Sequence, residues 1–223
     1  MGSTGGCERM IPFPYVLRRR MMMCSDEPFS FEYTGAFTDV INGSNRVITF
    51  TSSGTLKVIK KAINVQCKLC GAGGAAAYFY SPSGWLDTQT LRTCVLCGGG
   101  SGGLKTFTFD LEPGSYAITV GASKNTTAFG RTATKGGAAY ANSLEDYGAG
   151  AGGSPNGVTG AVKTGTLYKQ NDWLYINKAA TGTIHCYGGA VTLKHIKNVQ
   201  GKWYVNEKTD APDKGLVQLT IPI

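Results

Sequence analysis

The sequence predicts an all-β fold, a glycine-rich β-sandwich with an extended N-terminal arm. Three observations carry that prediction. Short segments alternate apolar and polar residues with a period of two, the spacing of a half-buried strand. Turn residues punctuate them at short intervals. Glycine blocks follow several of the strands directly, at Gly71-Ala72-Gly73-Gly74, at Gly98 to Gly103, at Gly136-Gly137 and at Gly148 to Gly153. No stretch supports a helix of more than two turns.

The elements run in order as follows. Phe29 to Thr38 alternates through Phe29, Phe31 and Tyr33, and Asn42-Gly43 then marks a turn. Arg46 to Thr51 and Leu56 to Ile59 read as strands joined by Ser52-Ser53-Gly54. Ala62 to Leu69 places Ile63, Val65, Cys67 and Leu69 on one face. Residues 71–90 read as a long loop carrying Tyr78, Phe79, Tyr80 and Trp85, and Leu91 to Leu96 returns as a strand. Leu104 to Leu111 and Ser115 to Val120 are expected to form a hairpin around Glu112-Pro113-Gly114. Thr127 to Thr134 reads as one strand with Phe129 buried, and residues 135–165 are rich in Gly, Ala and Ser. Further strands are expected at Trp173 to Ile176, Thr183 to Tyr187, Val191 to Ile196, Lys202 to Val205 and Leu216 to Ile221.

Composition narrows the function classes. Of 223 residues 32 are Gly, about twice average usage. A hydrophobic fraction of 42% excludes an intrinsically disordered chain, and the glycines lack the collagen period. The net charge of +8 is spread over strand lysines such as Lys57, Lys60, Lys61, Lys194 and Lys197. It reads as a solvated, edge-guarding face rather than a nucleic-acid patch. Residues 1–20 lack a leader-like apolar core, and no run of 18 apolar residues exists, so no membrane partner is expected. Seven cysteines, an odd number, are expected to be reduced thiols of a protein made in a cytoplasm.

The chain divides into an N-terminal docking arm (1–27), a glycine-rich β domain (28–165) and C-terminal strands (166–223) that close the same domain or follow it. The arm holds Arg18-Arg19-Arg20 and Met21-Met22-Met23, the expected docking residues.

Five stretches, in order, resemble the glycine-rich domain of bacteriophage and prophage tail proteins. They are Phe31 to Phe37, Arg46 to Lys57, Val65 to Gly74, Leu111 to Gly121 and Thr127 to Gly137. The resemblance spans about residues 29–165. It implies a virion structural protein, a tail fibre or tail tip, that displays glycine-rich loops for host attachment and works as a homo-oligomer, a trimer. It also implies other virion proteins as partners through the arm, and assembly in the cytoplasm of the bacterial host. Members of that family carry long glycine tracts that pack as polyglycine II. The tracts here are short and interrupted by Ala, Ser and Asn, so no such lattice is expected. A capsid decoration or head-fibre protein is the alternative of the same class.

Other motifs point elsewhere. Cys67-Lys-Leu-Cys70 and Cys94-Val-Leu-Cys97 have the spacing of zinc knuckles, which suggests a zinc-ribbon nucleic-acid binder as a third reading. Strand geometry opposes it, because Cys67 and Cys70 point to opposite faces of an extended strand, and no metal or other cofactor is expected. Gly98, Gly100 and Gly103 match a dinucleotide fingerprint, but an alternating strand follows where a helix is required. His185 and His195 read as ordinary sheet histidines, and no nucleophile–base pair is evident. The chain is therefore expected not to be an enzyme. The aromatic residues Tyr78, Tyr80, Trp85, Tyr140 and Tyr147 are the candidate receptor-binding residues, for a host cell-surface glycan or protein.

Overall fold

The computed structural model describes residues 29–180 and 186–223. The docking-arm residues Arg18, Arg19, Arg20, Met21, Met22 and Met23, and His185, lie outside them. Among the described residues all regular structure is β. The strands are β1 (Phe31–Tyr33), β2 (Phe37–Asn42), β3 (Asn45–Phe50), β4 (Gly54–Val58), β5 (Ala62–Cys70), β6 (Ala77–Ser81), β7 (Arg92–Cys97), β8 (Leu104–Leu111) and β9 (Gly114–Ile118). They continue with β10 (Thr126–Ala128), β11 (Arg131–Ala133), β12 (Tyr140–Ala141), β13 (Tyr147–Gly148), β14 (Val162–Leu167), β15 (Trp173–Ile176), β16 (Ala190–Lys197), β17 (Trp203–Asp210) and β18 (Leu216–Pro222). No helix is long and apolar enough to cross a membrane among these residues.

Two hydrophobic clusters organise the sheets. A five-stranded sheet, β2-β3-β18-β5-β8, and a three-stranded sheet, β1-β4-β9, share the first cluster through Ile48, Phe50, Leu56, Leu69, Leu111 and Leu219, all fully buried. The second joins β14-β7-β6 to β15-β16-β17 through Leu96, Leu167, Leu193 and Val205. Burying each such side chain contributes on the order of 2 kcal/mol. Strand β18 lies between β3 and β5, so residues near the C-terminus complete a sheet begun at Phe37.

Several local expectations are corrected. Asn64 adopts a left-handed φ of 54° beside a register shift between Ala62 and Val65. That bulge turns Ile63 outward, 59% exposed, while Ala62, Val65, Cys67 and Leu69 stay inside. Glu112-Pro113-Gly114 does turn the chain, but β8 pairs with β5 and β9 with β4. The turn therefore carries the chain from one sheet to the other and closes no hairpin. The 71–90 segment contains strand β6, antiparallel to β7. Thr127 to Thr134 is split by a two-residue turn at Phe129 (φ 52°) and Gly130 (φ 68°), positive at both central positions as a type I′ turn requires. Phe129 is half-buried against Phe109 and Tyr116. Of the strand expected at Thr183 to Tyr187, residues 183–185 lie outside the described residues, and Cys186 and Tyr187 are in no strand.

The largest correction concerns the glycine blocks, which do pack as a lattice. Segment 98–103 is buried and hydrogen-bonded to five others. The Gly98 and Ser101 amides donate to the carbonyls of Ala161 (2.8 Å) and Val158 (2.9 Å). Those of Gly99 and Gly102 donate to Gly189 (3.1 Å) and Cys186 (2.8 Å), and those of Gly100 and Gly103 to Gly137 (3.0 Å) and Thr134 (2.8 Å). In return, Gly74 and Gly71 donate to the carbonyls of Gly100 (2.8 Å) and Gly103 (2.9 Å), and Gly150 and Gly153 to those of Gly98 (3.0 Å) and Ser101 (2.8 Å). Each neighbour is met again after three residues, the repeat of a threefold polyglycine II helix with no hydrogen bonds of its own. Such contact leaves no room for a side chain. A Cβ on Gly100 would fall 1.9 Å from the carbonyl oxygen of Ala151, and one on Gly99 as close to that of Gly74.

Candidate functional site

The loop between β6 and β7 builds the most defined cleft that contains candidate residues. Its chain is pinned on both sides of Trp85. The Leu86 amide donates to the Trp203 carbonyl (2.9 Å), and the Trp203 amide donates back to Leu86 (2.8 Å), so the loop extends the edge of β17. Arg92, fully buried on β7, donates to the carbonyls of Pro82, Gly84 (3.0 Å) and Trp203 (3.1 Å). Its guanidinium also lies over the Tyr80 ring, 5.9 Å from the centroid. One buried cation therefore ties the loop to two strands, and its cost is offset by three carbonyl dipoles.

So held, Trp85 stays 58% exposed and stacks on Tyr204, with centroids 4.9 Å apart and planes 8° from parallel. Tyr80 stacks parallel to Tyr78 on β6 (6.2 Å, 6°) and sends its hydroxyl toward Glu207 (3.5 Å). Burial raises the pKa of both phenols, and the Glu207 carboxylate adds to that. Tyr80, Gly84, Trp85, Tyr204, Val205, Asn206 and Glu207 line a cleft of about 360 Å³. The structure thus brings Tyr80 and Trp85 together and sets Tyr78 behind Tyr80. Tyr140 and Tyr147 belong to the separate β12–β13 hairpin, where the Tyr140 ring covers Gly148 and remains 50% exposed.

Sequence reasoning missed Tyr204, Arg92 and Glu207. It also missed a second exposed pair on β15, Trp173 and Tyr175, whose rings stack at 4.6 Å with Lys163 over Tyr175 (4.8 Å). The spacing of that pair, two residues apart on an alternating strand, was the available signal. Tyr204 and Glu207 become neighbours of the loop through long-range contact with β17, while Arg92 reaches it across the β6–β7 hairpin.

Among the described residues the four knuckle-spaced cysteines do not converge on one point. Cys70 and Cys186 are joined by a disulfide across 116 residues (Cα–Cα 5.7 Å), which corrects the expectation of seven reduced thiols. Cys67 packs in the first cluster and Cys94 in the second. Burial pushes the Cys67 thiol up to about 12 and the Cys94 thiol up to about 11, as for cysteines packed among apolar side chains. Among the described residues no three His, Cys, Asp or Glu side chains are placed to hold a metal ion. The knuckle-like spacing is therefore a product of two strand ends.

His195 is a sheet histidine on β16, as expected, but a buried one. Its Nδ1 bonds the Tyr168 carbonyl (2.9 Å), its ring lies against Trp203, and its Nε2 has no partner. Burial lowers its pKa, and the Arg92 charge lowers it further against the opposing bond from Tyr168. Gly98 to Gly103 leads into strand β8, so the fingerprint-like glycines open no helix. No family model matches this chain, and neither does any curated protein or solved structure compared with it.

Proposed function

We propose that this chain is a structural protein of a bacteriophage virion, a tail fibre, tail tip or similar appendage that displays loops for attachment to the host surface. The glycine lattice carries this reading. It is a core held by backbone amides that bond neighbouring segments, and the loop tips beyond the intervening strands are available for contact. The β12–β13 hairpin leaves lattice segments directly and the Trp85 loop lies beyond strands β6 and β7, which follow and precede two of them, and both present exposed aromatic rings. An appendage multiplies weak contacts by symmetry. The exposed Val40 (58%) and Ile41 (69%) on β2, the end strand of the five-stranded sheet, support contact between copies in a homo-oligomer. No catalytic role is proposed.

Immunogold electron microscopy of particles whose genome encodes this chain tests the reading. Label at the tail end is expected. Label on the head would replace it with the capsid-decoration alternative, and unlabelled particles would overturn both. Sedimentation equilibrium is expected to give three times the 23.5 kDa chain mass.

A further inference from the structure

We infer that the Trp85 cleft binds a neutral saccharide. This deepens the attachment reading and rests on it for its biological setting, but not for its chemistry. An indole 58% exposed is costly to hold still in water, yet this one is fixed by paired backbone bonds at Leu86 and by the Arg92 clamp. A rigid exposed ring loses little freedom when a ligand arrives. One face of the indole rests on Tyr204, which leaves the other to solvent.

The cleft that Trp85 lines also holds polar groups. Asn206 both donates and accepts, Glu207 accepts, and the Tyr80 hydroxyl, whose hydrogen points to Glu207, can accept as well. A pyranose offers the complement, an apolar C–H face for the indole and an edge of hydroxyls for the carboxylate and amide. Aliphatic surface in the cleft is confined to the buried Val205, which disfavours a lipid or an apolar peptide anchor. Among the described residues Glu207 is the sole charged one lining it, and its carboxylate repels phosphate and uronic acids. The volume, about 360 Å³, sits at the low end of small-molecule sites, on the order of 300–1,000 Å³. It suits a terminal sugar or a short branch.

Saturation-transfer NMR on the full chain tests the inference. The probes are the methyl glycosides of glucose, galactose, N-acetylglucosamine, N-acetylgalactosamine and rhamnose, with methyl glucuronide as the anionic counterpart. At least one neutral glycoside should receive saturation and the glucuronide should not. Trp85→Ala and Asn206→Ala, both at exposed positions, should each weaken binding about tenfold or more. Trp173→Ala, at the other exposed indole, should leave it unchanged. The inference is overturned if no neutral glycoside binds, if glucuronide binds as well, or if Trp85→Ala and Trp173→Ala act alike. Glycoside binding with unlabelled particles would overturn the virion reading and keep the site. Labelled tails without glycoside binding would do the reverse.

Discussion

Gly100→Ala isolates the lattice from the rest of the fold. The added Cβ would lie 1.9 Å from the Ala151 carbonyl oxygen, where ordinary contact begins near 3.4 Å, so segment 150–153 must retreat by about 1.5 Å. That movement stretches the Gly150 to Gly98 bond (3.0 Å) and the Gly153 to Ser101 bond (2.8 Å) beyond bonding distance. Each broken pair leaves buried backbone groups unsatisfied at about 1–3 kcal/mol, which gives a loss of roughly 4 kcal/mol for the two. For a chain of this size that lowers Tm by about 8–16 °C. Gly43→Ala is the control. Gly43 also has no Cβ, but it sits in the β2–β3 turn at φ +61° with nothing within 4 Å. Its cost is backbone strain alone, about 1 kcal/mol. Thermal melts followed by circular dichroism compare the two. A Gly100→Ala melt within about 3 °C of the Gly43→Ala melt would refute the close-packed lattice.

Three further outcomes are expected. Peptide mapping under non-reducing conditions should recover Cys70 linked to Cys186, and Cys70→Ser should cost roughly 4 kcal/mol in urea unfolding, as for a crosslink closing about 100 residues. His195 has a pKa lowered in the fold from the ordinary 6.5, so the unfolded chain takes up its proton first as pH falls. Stability should therefore be full above about pH 6.5 and decline below it, and urea titrations from pH 7.5 to 5 should show His195→Gln removing part of that decline. Arg92→Met should cost about 3 kcal/mol by stranding the Pro82 and Gly84 carbonyls, the Trp203 carbonyl keeping the Leu86 amide, and should weaken glycoside binding by freeing the Trp85 loop, a combination read by melting and saturation transfer together.

Strand existence was legible where alternation met burial on one face. Leu104–Leu111, Trp173–Ile176 and Leu216–Pro222 stand within a residue of where their pattern puts them. Partners were not legible, because alternation says that a face is buried but not against what. Glu112-Pro113-Gly114 shows the gap, since the same turn residues serve a hairpin and a crossing between sheets. Ile63 fails for a different reason. One left-handed Asn64 resets the register, and Asn rather than Gly at that point gives little warning. The lattice escaped because tract length was the wrong measure. Segments of four to six residues suffice when five of them surround a sixth, and the number of separate blocks was the better signal. The Trp85 cleft was half visible, through its aromatic loop. Tyr204 and Glu207 joined it by tertiary pairing that no local pattern encodes, and Arg92 across the β6–β7 hairpin.

The three-residue repeat sets a rule for how such a chain can change. Its lattice bonds run from backbone to backbone and do not read side chains, so the exposed tips beyond the flanking strands can vary without touching them. What is counted is phase. Inserting three residues within segment 98–103 returns every amide to the neighbour it had, whereas inserting one hands each bond to the wrong neighbour. Descendants of this chain can therefore exchange loop tips wholesale and alter segments in steps of three, keeping the scaffold while the surface it presents turns over.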